Sequence, residues 1–209
     1  MAHLRPFRLP GGEAAVKEGW RVAASLLWEV CGAEGVPDSP AKPVILRMLE
    51  RGVNSPVTTS VGRLFDAVAS IAGIARKNRF EGQAAMMLER AIGSLDTADC
   101  YPLSEKDGAA DWAPLIEAVR ADAANRTSLE LIAARFHNAL VQWILGVARR
   151  VGVRDVVLSG GVFQNSYLVD RAAALLESSG FRVATHQRVP PNDGGIALGQ
   201  AVIAGLRGD

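Results

Sequence analysis

The run Val156-Val157-Leu158-Ser159-Gly160-Gly161-Val162-Phe163-Gln164-Asn165 carries the strongest local chemical signal in this 209-residue chain. An apolar, β-branched stretch ends in two glycines, and a helical pattern follows. Glycines at such a turn let the backbone approach a ligand closely. Free N–H groups at the start of the helix attract a phosphate or the polar part of a nucleoside. Asn165 either caps that helix or hydrogen-bonds a ligand. A plain strand-to-helix turn is the competing reading. The spacing is neither GxGxxG nor a Walker A loop, so it supports neither a dinucleotide-binding fold nor a P-loop.

Pro190-Pro191-Asn192-Asp193-Gly194-Gly195-Ile196-Ala197-Leu198-Gly199-Gln200 is the second signal. Two prolines stiffen the approach, and the helix dipole favours a carboxylate at the start of the helix that follows. Asp193 is either the N-cap of a tightly packed helix or a metal or phosphate-side carboxylate. Gly194, Gly195, Ala197 and Gly199 leave room for close backbone packing. The third signal is Ser60-Val61-Gly62-Arg63-Leu64-Phe65-Asp66. Gly62 and Asp66 lie four apart, on one helix face. Glycine inside a helix costs about 1 kcal/mol relative to alanine, which suggests a close approach to its backbone. Asp66 can accept two hydrogen bonds from a ribose diol. As the alternative, it is a solvated carboxylate paired with Arg63.

The three histidines, His3, His137 and His186, form no HxxxH pair. No serine sits in a GxSxG elbow, and no Cys–His arrangement is visible. The residues alone do not assemble a complete catalytic set.

The elements that must position these groups follow from periodicity. Residues 1–12 hold two prolines and two glycines and read as an extended lead-in. The spacing predicts helices over 13–30 and 42–50, one from about 60 led by Thr59 or Ser60 as cap, and one over 82–92. Cys100–Leu103 and a stretch near Trp112 flank the polar turn Asp107-Gly108, a hairpin pattern. A long helix is expected over 127–150, then a strand over 153–158, a helix over 165–178, a strand over 181–185 and a helix over 193–206. Residues 1–98 therefore read as a mostly helical part. Residues 99–209 read as an α/β part that carries the glycine turn and the final helix.

Net charge is +1, from 23 Lys and Arg against 22 Asp and Glu. Neither nucleic acid nor an anionic membrane is favoured by such a balance. Cys31 and Cys100 lie far apart and form no CxxC pair, which fits a reducing, cytoplasmic setting. The first residues lack the apolar core of a signal peptide. No stretch of about 20 apolar residues stands out as a bilayer span.

Taken in order, several segments resemble the HypF family, the carbamoyltransferases of nickel–iron hydrogenase maturation. They are His3-Leu4-Arg5-Pro6-Phe7 with Leu9-Pro10-Gly11-Gly12, Val53-Asn54-Ser55-Pro56 to Asp66, Glu81-Gly82-Gln83, Ser159 to Asn165, and Pro190 to Gln200. The resemblance covers essentially the whole chain. It is to the C-terminal part of that family's last module, which is similar to the Kae1-like proteins that make threonylcarbamoyl-adenosine.

The resemblance implies an α/β fold of the actin/Hsp70/sugar-kinase type, with this chain as the second lobe plus a mostly helical insert. It implies that Gly62, Asp66, Gly160, Gly161 and Asn165 bind a nucleotide, ATP or carbamoyl adenylate. It implies that Asp193 supplies one ligand of a divalent metal. Arg63 stands where Kae1-like relatives usually have Glu, and no role is carried over to it. The family's histidine cluster and phosphate loop belong to a first lobe that this sequence does not contain. The expectation is a lobe excised from, or separate from, its partner.

The function so implied is carbamoyl transfer from carbamoyl adenylate to the C-terminal cysteine of HypE, with the first lobe as a further partner. Two alternatives stand beside it. One is a non-catalytic nucleotide-binding lobe. The other is an O-carbamoyltransferase with an oxygen acceptor, although the Leu-Pro-Gly-Gly and Glu-Gly-Gln segments look more like HypF.

Overall fold

A computed structural model describes residues 2–106 and 108–207. The chain forms two compact units, Met1–Trp143 and Ile144–Asp209. The change of texture near residue 98 therefore falls inside the first unit.

The lead-in contributes two short strands, β1 (His3–Leu4) and β2 (Phe7–Arg8). Helices α1 (Glu13–Lys17), α2 (Gly19–Gly35) and α3 (Lys42–Arg51) follow. Strand β3 (Val57–Thr58) pairs antiparallel with β2. Helices α4 (Val61–Ile71) and α5 (Gln83–Ala91) come next. Strands β4 (Ser104–Lys106) and β5 (Ala109–Asp111) form an antiparallel hairpin, and β1 joins β5 in parallel. Residue 107 of the expected turn lies outside the described residues. Helices α6 (Ala113–Ala124) and α7 (Leu129–Val151) complete the helical part.

The core of this unit is set by helical spacing. Leu64, Phe65 and Val68 of α4 and Ile132, Phe136 and Leu140 of α7 are all buried. Phe65 and Phe136 meet edge to face, ring centroids 4.8 Å apart. Burying each such side chain contributes roughly 1.5–3 kcal/mol. At the strand end, Trp112 stacks edge-on against Phe7 and donates Nε1–H to the Arg5 carbonyl at 2.8 Å.

Two local expectations change. The helix expected over 13–30 is broken at Glu18, whose φ of −117° and ψ of 82° are not helical. It then runs on to Gly35 past a kink at Gly32 (φ 69°). The second arm of the expected hairpin, near Trp112, is present as β5, and α6 begins directly after Trp112, with Pro114 in its first turn and Leu115, Ile116 and Val119 buried. The hairpin strand is Ser104–Lys106, not Cys100–Leu103, because Tyr101 is buried and donates its backbone N–H to the Arg135 carbonyl. Among the described helices, α7 is long and apolar enough to cross a membrane. Ile132, Phe136, Ala139, Leu140 and Leu145 bury that apolar surface inside the protein.

In the second unit, strands β6 (Asp155–Leu158) and β7 (Arg182–Thr185) pair in parallel, with Leu158 opposite Thr185. Helix α8 (Ser166–Ser178) connects them and buries Leu168, Ala172 and Leu176, four residues apart. Helix α9 (Ile196–Arg207) has no buried residue among those described; Ile196, Leu198, Val202, Ile203 and Leu206 are each more than half exposed. Val157 of β6 is also exposed.

Candidate functional site

In the first unit, the loop before α4 is held from both sides. Leu9 N–H donates to the Pro56 carbonyl, and Gly11 N–H to the Asn54 carbonyl, both at 2.8 Å. Ser60, not Thr59, caps α4; its Oγ accepts the Arg63 N–H at 3.3 Å. Gly62 sits half-exposed on the first turn of α4. A Cβ there would meet only Ser60 Oγ, at 3.6 Å. The space beside Gly62 is therefore open, as a close-approaching ligand requires.

Asp66, one turn further on, is not solvated. Its side chain is 2% exposed, and Arg63 Nη1 stands 2.8 Å from Oδ2. Asn78 Nδ2 donates to Oδ1 at 2.9 Å, while Asn78 Oδ1 accepts the Ala84 N–H. Asp66 thus ties α4 to the loop before α5. Burial raises its pKa, against the opposing pull of Arg63 and of the Asn78 hydrogen bond. In this arrangement its oxygens face protein partners. Asn78 was not singled out by the sequence, because nothing local links it to a residue twelve positions earlier.

The second unit presents a separate set. Gly160 takes φ 103°, a conformation closed to most side chains. The chain then makes a short 3-10 turn, Gly161–Gln164, before α8. Asn165 is buried and caps α8; its Oδ1 accepts the Leu168 N–H at 2.8 Å. Gly160 N–H donates to the Pro191 carbonyl at 2.9 Å, which draws the loop before α9 against the glycine turn. A Cβ on Gly160 or Gly161 would meet no atom within 4 Å. Across the same strand ends, Ser159 Oγ and His186 Nε2 lie 2.8 Å apart.

Asp193 is exposed and opens a 3-10 turn, Asp193–Gly195. It is not the cap of that turn; Asn192 is, accepting the Gly194 N–H at 3.0 Å. Gly194 and Gly195 are tightly packed: a Cβ on Gly194 would lie 3.0 Å from Asn192 Oδ1, and one on Gly195 3.0 Å from Val189 Cγ1. Around Gly199 no atom comes that close. Among the described residues, no group of three or more His, Cys, Asp or Glu gathers into a metal-holding cluster. A single carboxylate does not make a divalent-metal site, because such ions take several ligands.

A cavity of about 350 Å³ lies elsewhere in the first unit, lined by Asp99, Cys100, Tyr101, Asp122 and Arg135. Its polar groups bind one another: Tyr101 O–H donates to Asp122 at 2.7 Å, and Arg135 bridges Asp122 and Asp99. The network pins residues 99–101 to α6 and α7.

The family model described as carbamoyltransferase, Kae1-like domain, second subdomain, matches residues 1–200. The carbamoyltransferase HypF of Synechocystis sp. is 38% identical over 96% of this chain and 29% of its own length. HypF2 of Cupriavidus necator is 35% identical over 98% of this chain and 29% of its own length. A crystal structure of full-length HypF in a phosphate- and nucleotide-bound form superposes with a TM-score of 0.85 at 36% identity, covering 98% of this chain and 28% of that one. The chain thus spans less than a third of the length of these relatives. The fold is accordingly α/β, of the actin/Hsp70/sugar-kinase type, with a mostly helical insert. The chain belongs to the HypF carbamoyltransferase family, as the second subdomain of its Kae1-like domain.

Proposed function

We propose that this chain forms the nucleotide-facing second lobe of a cytoplasmic carbamoyltransferase that carbamoylates the C-terminal cysteine of HypE. The observation that carries this reading is the open glycine turn Gly160-Gly161, at the carboxyl end of a parallel strand pair, within a family match over residues 1–200. Parallel α/β sheets bind ligands at that end.

Gly160 and Gly161 would let the nucleotide of carbamoyl adenylate approach the backbone, with Asn165 holding the turn and α8 in register. Gly62 offers a second open backbone surface, and Asp66 fixes the helix that carries it. Asp193 would give one ligand of a divalent metal whose other ligands lie outside these residues. Such a metal neutralises phosphate charge. In the transfer itself, the HypE thiolate attacks the carbamoyl carbon. A C–S bond forms, the C–O bond to the adenylate phosphate breaks, and AMP leaves. The first lobe of the module is the other partner. The exposed apolar side chains of α9 and β6, together with the greater length of the relatives, support this.

A second reading, that the chain alone is a non-catalytic nucleotide-binding lobe, is favoured by the lack of a metal-holding cluster among the described residues. One comparison decides between them. Carbamoyl phosphate-dependent ATP cleavage and HypE thiocarboxamide formation, the latter by mass spectrometry, are measured for the 209 residues alone and after joining them to the upstream part of a HypF relative. Activity only in the joined protein, lost on Asp193→Ala, supports the lobe reading. Activity of the 209 residues alone, or none in the joined protein, overturns it.

A further inference from the structure

Two side chains that the reading above does not use meet at the carboxyl end of the β6–β7 pair. Ser159 directly follows β6, and His186 directly follows β7. The strands are parallel with Leu158 opposite Thr185, so the next residue of each strand stands opposite the other. Ser159 Oγ and His186 Nε2 are 2.8 Å apart, and both residues are exposed.

An exposed hydrogen bond of this kind does little for folding. Water satisfies either group equally well, and ordering two side chains costs entropy. Its position is what distinguishes it. Ser159 immediately precedes Gly160, where the surface is open. The Gly160–Pro191 backbone bond brings the Asp193 loop to the same turn.

The chemistry of the pair depends on which atom carries the proton. When Nε2 is bare, Ser159 donates to it and presents only lone pairs outward. When Nε2 carries hydrogen, it donates to Oγ, and the serine hydroxyl hydrogen is free to point at an acceptor. An oxyanion selects the second arrangement and receives a directed hydroxyl donor.

We propose that Ser159 and His186 form an oxyanion-reading pair that positions a phosphoryl group at this rim, with Ser159 touching the ligand and His186 orienting Ser159. The proposal deepens the nucleotide reading given above and rests on it for the identity of the ligand. The phosphoryl group can belong to the nucleotide or to a free phosphate compound.

The test is an NMR titration of the whole 209-residue chain with adenosine, AMP and inorganic pyrophosphate. It follows the His186 ring and the Gly160 and Gly161 amides. The variants are Ser159→Ala, His186→Ala and His186→Gln; the last keeps an amide donor in place of Nε2–H. Loss of one hydrogen bond to a charged group predicts about tenfold weaker binding of AMP by Ser159→Ala and His186→Ala, with partial recovery in His186→Gln. Adenosine affinity and the thermal midpoint should not change. If pyrophosphate weakens in parallel, any phosphoryl group is read; if only AMP weakens, the nucleotide is the source, and both results support the pair. Phosphoryl ligands binding equally to wild type and variants would overturn it, as would an equal loss of adenosine. Variant-sensitive pyrophosphate binding without adenosine binding would leave the pair standing and remove the nucleoside reading. No binding of any of the three overturns both.

Discussion

Gly19 lies directly against Asp66. A Cβ on residue 19 would sit 3.0 Å from the Asp66 carbonyl oxygen and 3.1 Å from its Cβ. Both neighbours are backbone or backbone-proximal, so neither can swing away. Gly19→Ala should therefore push the start of α2 off α4 and cost about 1–3 kcal/mol, the usual range for overpacking. Urea denaturation should show the loss as a lower midpoint. Gly62→Ala, whose Cβ meets only Ser60 Oγ at 3.6 Å, should leave that midpoint unchanged or raised.

The contrast between these two glycines shows where sequence reading stops. Helices α4, α7 and α8 were legible because their apolar residues recur at helical spacing, and β6 and β7 because short apolar runs alternate with them. A cap at Thr59 or Ser60, and Asn165 as one reading of its role, were legible because polar residues lead the helical pattern there; Ser60 and Asn165 are the caps found. The break between α1 and α2 was not, because the helical spacing runs straight through Glu18 and nothing local marks the close approach of residues 19 and 66. Strands β1, β2 and β3 are two residues long and exist only through partners far away, such as His3 with Ala109 and Phe7 with Thr58. That Asp66 is held inside the protein was not legible, because Asn78, its second partner, reaches it from another element. The Ser159–His186 pair needed the strand register before it could be seen.

His137 predicts an acid-sensitive core. It is fully buried on α7, with Nδ1 2.8 Å from the Ala133 carbonyl oxygen and its ring against Phe65. Burial lowers its pKa from 6.5 to about 4, only partly opposed by the backbone hydrogen bond. The unfolded chain thus binds the proton more readily than the folded one. Stability is complete above the unfolded value and falls as pH drops from 6.5 towards 4. The loss should reach about 3 kcal/mol at the bottom of that window. Denaturant midpoints across this range should slope downward in acid for the wild type, and His137→Leu should flatten the slope.

Asn165 combines a structural duty with a proposed binding duty, and substitution can separate them. Asn165→Ala removes the acceptor for the Leu168 N–H and should cost about 1 kcal/mol through loss of the cap. Asn165→Asp keeps a good cap and should hold the thermal midpoint near that of the wild type. If the amide also donates to the nucleotide, Asn165→Asp in the joined protein should weaken AMP binding, since a carboxylate cannot donate and repels phosphate. Equal AMP affinity for Asn165→Asp and wild type would confine this residue to capping.

The glycine turn allows the sharpest separation of folding from binding. Gly160 needs its φ of 103°, so Gly160→Ala should be strained by on the order of 1–3 kcal/mol even though its Cβ would meet no neighbour. Gly161 has no positive φ, and a Cβ there also meets open space. Gly161→Ala should therefore leave the thermal midpoint unchanged. The same methyl group would project into the space that a ligand backbone contact must occupy. In the joined protein, Gly161→Ala should weaken nucleotide binding at least about tenfold, the equivalent of losing 1.4 kcal/mol. Calorimetric titration with AMP, run beside a thermal melt, reads both quantities on one sample. A stable Gly161→Ala protein that still binds AMP like the wild type would show that the turn does not touch the nucleotide, and that its glycines serve only the chain reversal between β6 and α8.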